Sequence, residues 1–265
     1  MKSRRWWKFL DLDIRSRYKM NELEFCSYWV KNYQIDLSTN IFVNSDFPND
    51  YFFNRIISKA SKSKVINEGI SNSKVFLTEN ALRGFFHLQN LNKQVIKHLE
   101  KNNFHYIDTI YTLVSPSKIV KIYKKGPSVN VKETNNIKDW NDIFCKSFGI
   151  TRRITHVKQV LHKNRERFIF LLAEASEKTN NRKIPVGCCL LFENYGCMGL
   201  YCLGTIPEYR NKGIARTVIK KSLETANLKG FSNVFLHTLL NDDYMNFYNK
   251  LNFKIVDKST IFSFG

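Results

Sequence analysis

The residues best placed to do chemistry lie in Leu203-Gly204-Thr205-Ile206-Pro207-Glu208-Tyr209-Arg210-Asn211-Lys212-Gly213-Ile214-Ala215-Arg216. An apolar run leads into a short loop. Beyond Gly213, the residues Ile214, Val218, Leu223 and Ala226 recur roughly in helical phase. A strand, a loop and a helix start in that order leave the first helical amides without intrahelical acceptors. The small residues Gly213 and Ala215 let a ligand approach those amides closely. The helix dipole, with Arg210, Lys212 and Arg216, favours an anion there. A pyrophosphate-bearing molecule fits this chemistry. The plainer reading of the same residues is a tight strand-to-helix turn in which the glycine only eases packing.

The elements that would position this segment follow from the pattern on either side. A short strand is expected at Val129–Lys132, and a helix capped by Asn136 or Asp139 running to Phe148. A second helix is expected over Thr155–Arg165, then strand-like runs at Phe168–Ala175, Ile184–Phe192 and Met198–Ile206. After the helix Gly213–Leu228, stopped by Gly230, come a strand at Val234–Thr238, a helix at Asp243–Leu251 and a strand at Phe253–Phe262. Strands alternating with helices, plus an antiparallel hairpin region, make a mixed α/β sheet. The likeliest seam in the chain is Lys124-Lys125-Gly126-Pro127-Ser128.

Before that seam, helices are expected at Asn21–Lys31, near Tyr51–Ser61 and at Leu91–Glu100. Strands are expected at Thr39–Val43, Val75–Leu77 and Tyr106–Val114. One internal match stands out. Lys101-x-Asn103-Phe104 through Asp108 is similar to Lys250-x-Asn252-Phe253 through Asp257, at a constant offset of 149 residues. Each segment ends a helix and opens an apolar strand, which points to two copies of one fold.

With its surroundings, the loop resembles the acyl-CoA motif of the GNAT superfamily of N-acetyltransferases, Arg/Gln-x-x-Gly-x-Gly/Ala. Arg210, Gly213 and Ala215 match it behind the lead-in Ile206-Pro207-Glu208-Tyr209. Family members often carry an Asn, a Tyr seven residues later, and a Tyr-x-Lys-Leu-Gly-Phe box. Asn241, Tyr248 and Tyr248-Asn249-Lys250-Leu251-Asn252-Phe253 follow that pattern, with Asn252 in place of the glycine. The resemblance covers about residues 129–265. It implies an α/β (α+β) fold with a mixed, mainly antiparallel GNAT-type sheet flanked by helices. With the internal match, two tandem GNAT-like units are expected: 1–126, degenerate or acceptor-shaping, and 127–265, catalytic.

The resemblance also implies transfer of an acyl group, most often acetyl, from CoA to an amine by direct attack, with no metal. The backbone at Leu203, Gly204 and Thr205 would pair with the pantetheine arm. The pyrophosphate would sit on the amides of Asn211, Lys212, Gly213, Ile214, Ala215 and Arg216, next to Arg210. Tyr248 would be the general acid that protonates the leaving thiolate, although it also reads as a core aromatic. Asn241 would contact the cofactor or order its loop. No carboxylate stands near Gly199, where many relatives keep a base; His237 lies close to the alternative position and also reads as a buried strand histidine. At the 149-residue offset Tyr248 corresponds to Leu99, and no Arg/Gln-x-x-Gly-x-Gly/Ala occurs before residue 126. The first copy is therefore expected to have lost acyl-CoA binding.

Composition bounds these readings. The 42 Lys+Arg against 23 Asp+Glu give a net charge of +19, and 43% hydrophobic residues exclude a disordered basic tail. The excess is spread evenly, +10 over residues 1–126 and +9 over 127–265, with dense patches near the N-terminus, at Lys118–Lys125 and at Arg152–Arg167. Nucleic acid is a possible partner for such a surface but not the favoured one. The alternative to catalysis is a GNAT-like module that binds nucleic acid or an acidic protein through this charge. Six cysteines form no zinc spacing, and four lie in apolar, strand-like runs, which fits a reducing cytoplasm. No apolar run is long enough to span a membrane. Acyl-CoA and an amine acceptor are the expected partners.

Overall fold

The computed structural model describes residues 12–89, 91–118, 129–176 and 182–264. In chain order its elements begin with α1 (Ile14–Ser27), β1 (Lys31–Gln34), β2 (Thr39–Val43) and β3 (Arg55–Ser58). Then come α2 (Ser63–Glu79), β4 (Gly84–Leu88), α3 (Lys93–Lys101) and β5 (Phe104–Pro116). The middle of the chain forms β6 (Val129–Glu133), α4 (Ile137–Phe148), α5 (Ile154–Lys163), β7 (Phe168–Ser176) and β8 (Lys183–Asn194). The last elements are β9 (Cys197–Thr205), α6 (Ile214–Leu228), β10 (Asn233–Leu239), α7 (Met245–Asn249) and β11 (Lys254–Phe264).

The chain forms two compact units that interleave in sequence. The first takes the chain up to Glu22, Leu113–Leu236 and Asn246–Lys254; the second takes Leu23–Thr112, His237–Met245 and the residues from Ile255 on. The seam expected at Lys124–Ser128, with the 126/127 boundary between copies, lies outside the described residues. So do Arg4-Arg5, Trp6-Trp7 and most of the basic run Lys118–Lys125.

In the first unit the strands lie in the order β10-β9-β8-β7-β6. All neighbours are antiparallel except β9 and β10, which are parallel. Helices α4 and α6 pack on β8 and β9. The Asn136 side chain caps α4 by accepting from the Asp139 amide at 3.1 Å, and Gly149 ends it in the left-handed region at φ 66°. That helix delivers Trp140, fully buried, stacked on Phe144 at 5.4 Å and edge-on to Phe170 at 5.3 Å. The indole N–H is shared by the Leu171 and Cys189 carbonyls at 3.1 and 2.9 Å. Its burial therefore keeps the apolar gain, roughly 2–3 kcal/mol, without stranding a donor. The thiols of Cys188 and Cys189 are buried within the sheet, and burial holds both in the neutral form.

The second unit orders its strands β1-β2-β3-β4-β11-β5 around a core of Ile41, Ile56, Ile70, Leu77, Phe86 and Leu99. Its pairings, β1/β2 and β2/β3 antiparallel and β3/β4 parallel, repeat those of β7/β8, β8/β9 and β9/β10. Inside the matched segments, Asn103 and Asn252 are both left-handed, at φ 63° and 65°, and Phe104 and Phe253 are both fully buried. Asparagine tolerates that conformation well enough to close each helix. Each unit is thus a mixed, mainly antiparallel sheet with helices, and the repeat is structural as well as sequential.

Several N-terminal expectations are corrected. Residues Tyr51–Ser61 are not helical. The Asp50 carboxylate accepts the Phe52 and Phe53 amides at 2.8 and 3.1 Å, and Asn54 donates to the Phe47 and Asp50 carbonyls. These local bonds compete with a helix, and Ile56-Ile57 then enters β3. Val75–Leu77 is not a strand but part of α2, whose Gly69, Ile70, Ser73 and Leu77 form one buried face while Val75 points outward. The first helix begins at Ile14 rather than Asn21, because Asp13 accepts the Arg15 and Ser16 amides. Helix α7 is shorter than Asp243–Leu251; Asp243 is left-handed at φ 54°, which excludes it from the helix.

Candidate active site

The site is built where β9 and β10 part. The two strands pair at Met198↔Val234 and Gly199↔Phe235, at the start of both, and the ladder goes no further. Aromatic bulk at the branch explains the parting. A Cβ on Gly199 would lie 2.5 Å from the Tyr201 ring and 2.9 Å from that of Phe235, so only glycine fits between them. Phe235 is packed in turn by Tyr18 at 4.8 Å. On the other side of β9, the register with β8 shifts between Cys188 and Leu190, and Cys202 is left-handed at φ 54°. Such a bulge bends a strand and increases its twist. Gly204 and Thr205 therefore pair with β8 on one side, Leu203 lies in the bulge, and the three pair with no strand on the other side among the described residues.

From Thr205 the chain turns through a 3₁₀ turn at Pro207–Tyr209, anchored by the Ile206 amide on the Val186 carbonyl at 3.1 Å. Asn211 at φ 60° and Gly213 at φ 81° then swing it into α6. Gly213 is the N-cap and brings no side chain to satisfy the first-turn amides of this 15-residue helix. The three basic side chains serve different ends. Arg210 acts as a clamp, its Nη2 on the Ser147 carbonyl at 2.7 Å and its Nε on the Thr205 carbonyl at 3.2 Å. Lys212 folds back, donating to the Glu208 carbonyl at 2.8 Å with its ammonium 4.7 Å from the Tyr209 ring centre. Arg216, one turn into α6, keeps a buried Nε without a hydrogen-bond partner among the described residues.

The strand end is packed to close tolerance. A Cβ on Gly204 would meet Ser147 at 2.7 Å and Phe148 at 3.1 Å, and one on Gly187 would meet Ile214 at 2.8 Å. Glycines there let α4 and α6 approach β8 and β9 directly. Ser147 Oγ and Thr205 Oγ1 are buried and, like Arg216 Nε, have no hydrogen-bond partner among the described residues. An open strand edge, a glycine-capped helix start and three unsatisfied polar atoms suit a ligand with amide and phosphate groups, as the pantetheine arm and pyrophosphate of acyl-CoA have. Ser147 and Gly187 went unmarked in the sequence, where nothing distinguishes them from ordinary helix and strand residues.

The three remaining candidates divide between the units. Tyr248 lies in the first, on α7, buried at 8% exposure with its ring edge-on to Phe247 at 5.1 Å and Phe253 at 5.9 Å. Its carbonyl accepts the Leu251 and Phe253 amides, which fixes α7 against the following turn. His237 and Asn241 belong to the second unit. His237 sits on β10 with Nδ1 3.2 Å from Thr112 Oγ1 and its ring 6.2 Å from that of Phe52. Asn241 donates from its side chain to the Ile107 carbonyl, and its amide donates to Asp108 Oδ1. Its amide group is thus engaged in tying a loop to β5. Among the described residues, no group of three or more His, Cys, Asp or Glu could hold a metal ion. No helix among them is long and apolar enough to cross a membrane.

Residues 137–253 match the family model described as acetyltransferase (GNAT) family. No curated protein sequence matches the chain. Among solved structures, a GCN5-related N-acetyltransferase from Kribbella flavida is similar over 95% of this chain and 96% of its own, at 10% identity and a TM-score of 0.67. A functionally unknown conserved protein from Staphylococcus epidermidis is similar over 92% of this chain and 98% of its own, at 16% identity and a TM-score of 0.63. A tandem GNAT protein from the clavulanic acid biosynthesis pathway is similar over 85% of this chain and 77% of its own, at 7% identity and a TM-score of 0.59. At these identities the likeness is one of fold. The motif loop, the parted strands and the match to the GNAT acetyltransferase family model lie in the same stretch, residues 137–253.

Proposed function

We propose that the protein transfers an acetyl group from acetyl-CoA to an acceptor amine by direct attack, using one site in the C-terminal copy. The observation that carries this reading is the edge of Leu203–Thr205 that pairs with no strand on the β10 side among the described residues, leading straight into the glycine-capped start of α6. Acetyl-CoA supplies an activated thioester, and every other contribution comes from this chain. Leu203, Gly204 and Thr205 would take the pantetheine amides as a strand takes its neighbour. The amides of Asn211, Lys212, Gly213, Ile214, Ala215 and Arg216 would hold the pyrophosphate. Arg210 acts indirectly, because its clamp on Ser147 and Thr205 fixes where the loop begins. Asn241, engaged with β5, would order its loop rather than touch the cofactor.

Direct attack needs a neutral amine beside the thioester carbon, so holding both in place supplies much of the rate. Tyr248 would give its phenolic proton to the departing thiolate, a contribution of about 10²–10⁴-fold for a positioned acid. His237 would take the amine proton, directly or through water, since a neutral imidazole has a lone pair that can accept it. The first copy would shape the acceptor side without binding CoA. A cytoplasmic setting fits the six free cysteines, five of them buried.

The test is release of CoA thiol from acetyl-CoA with a panel of small amines, amino acids and lysine peptides. Turnover with at least one amine, and a higher melting temperature with acetyl-CoA, are expected. Acetyl-CoA that neither turns over nor raises the melting temperature would refute the reading. The non-catalytic alternative would instead show salt-dependent oligonucleotide binding and no stabilisation by CoA.

A further inference from the structure

The +19 charge is spread evenly over the two halves of the chain, but not at every scale. Between Lys146 and Arg167 stand seven lysines and arginines and a single acid, Glu166, a net of +6 within 22 residues. This run forms the end of α4, the connecting turn, α5 and the turn after it. Helix α5 buries Val157, Val160 and Leu161, which leaves Lys158, His162 and Lys163 on its outer side. Arg152 precedes the helix and Arg165 and Arg167 follow it, all three exposed. Arg165 reaches Glu166 at 3.4 Å, whereas Arg152, Lys158, Lys163 and Arg167 meet no carboxylate among the described residues.

Helix stability accounts for only part of the pattern, since His162 and Lys163 in the last turn of α5 complement the dipole there. Cations before the first turn oppose the helix dipole, and α5 has no acidic residue in that turn to offset Arg152 and Arg153. The run also starts at the edge of the candidate site. Ser147 and Phe148 press on Gly204, and Arg210 holds the Ser147 carbonyl. Helix α5 follows over ten residues, about 15 Å of helix.

We propose that the outer side of α5, with Arg152, Arg165 and Arg167 at its ends, docks an acidic peptide segment that carries the acceptor amine. This rests on the acyl-transfer reading. Acetyl transfer consumes an amine with a free lone pair, which a lysine or a peptide N-terminus supplies once deprotonated. The exocyclic amines of nucleobases are conjugated with their rings and are poor nucleophiles, so the surface charge and the chemistry of the site together select a peptide. Opposite charge along the approach also raises the encounter rate.

The experiment uses the full-length protein and three fluorescent probes: a peptide with one lysine followed by six glutamates, its glutamine counterpart, and an oligothymidylate of equal charge. Binding is followed by anisotropy at 0.05 and 0.15 M salt, over which the screening length shortens to about 8 Å. In the variant Arg152→Gln, Lys158→Gln, Lys163→Gln, Arg167→Gln, affinity for the glutamate peptide should fall about tenfold or more. In the charge-matched control Lys64→Gln, Lys97→Gln, Lys101→Gln, Lys254→Gln, it should change less than twofold. Both should keep the melting shift with acetyl-CoA, so loss of docking is distinguishable from failure of the acyl-CoA reading. Equal weakening in the two variants would overturn the proposal, because charge without a site would suffice. Tighter binding of the oligothymidylate through α5 would overturn it in favour of a nucleic-acid partner.

Discussion

The chain passes twice through strand, helix, strand, helix and strand, as β3–α2–β4–α3–β5 and as β9–α6–β10–α7–β11. Both passages keep a parallel first pair of strands, a left-handed asparagine after the second helix and a buried phenylalanine behind it. They differ in the parts that a ligand would touch. β3 stays paired with β4 from Arg55 to Ile57, while β9 leaves β10 after its first residues. The first connection, residues 59–62, is half as long as the second, residues 206–213. It ends at an extended Lys62, where the second ends at a left-handed Gly213. Leu99, fully buried, stands where Tyr248 stands. The frame is set by core packing and helix closure, and the capacity to hold a cofactor is added by strand spacing and one loop. One can be lost without the other.

The contrast is open to direct attack. Gly213→Val should have the largest effect. A β-branched residue at φ 81° costs about 1–2 kcal/mol or more in backbone strain and crowds the helix start. Acyl-CoA affinity, read by calorimetry, should fall at least a hundredfold, whereas Lys62→Val should leave it within twofold. Tyr248→Phe should lower kcat about a hundredfold in a thiol-release assay while CoA still binds. Its counterpart Leu99→Ala should instead cost about 2–5 kcal/mol of stability in denaturant titration, with kcat per folded molecule unchanged. Arg210→Ala removes two bonds from a charged donor to carbonyls and should raise KM for acetyl-CoA about tenfold, moving kcat little. The smallest effect should be the most symmetrical. Asn103→Ala and Asn252→Ala should each cost about 1 kcal/mol, and the two glycine replacements should be neutral or stabilising, as melting curves would show. Unequal costs would mean that the two turns are not equivalent.

How far the sequence could be read varied with what each feature depends on. The second copy was legible because its signals are local. Asn136 caps α4, Gly230 follows α6, and Arg210, Gly213 and Ala215 stand at fixed spacing. The match between Lys101–Asp108 and Lys250–Asp257 was legible for the same reason, since a left-handed Asn before a buried Phe is a turn that few residues can make. The segment Tyr51–Ser61 was misread because side-chain bonds from Asp50 and Asn54 outweigh helix propensity there, and because Ile56-Ile57 takes its strand from tertiary pairing. Val75–Leu77 was misread because its short apolar run belongs to a longer helix, α2, whose buried face includes Leu77. Within the site, the loop was visible but the roles of its cations were not. Only three-dimensional packing shows Arg210 closing on two carbonyls, or Ser147 filling the space that Gly204 leaves.

Calorimetric titration of CoA into the full-length protein tests most directly whether cofactor binding resides in the second copy alone. One site per chain is predicted, abolished by Gly213→Val and untouched by Lys62→Val. Two sites per chain, or a site that survives Gly213→Val, would contradict it.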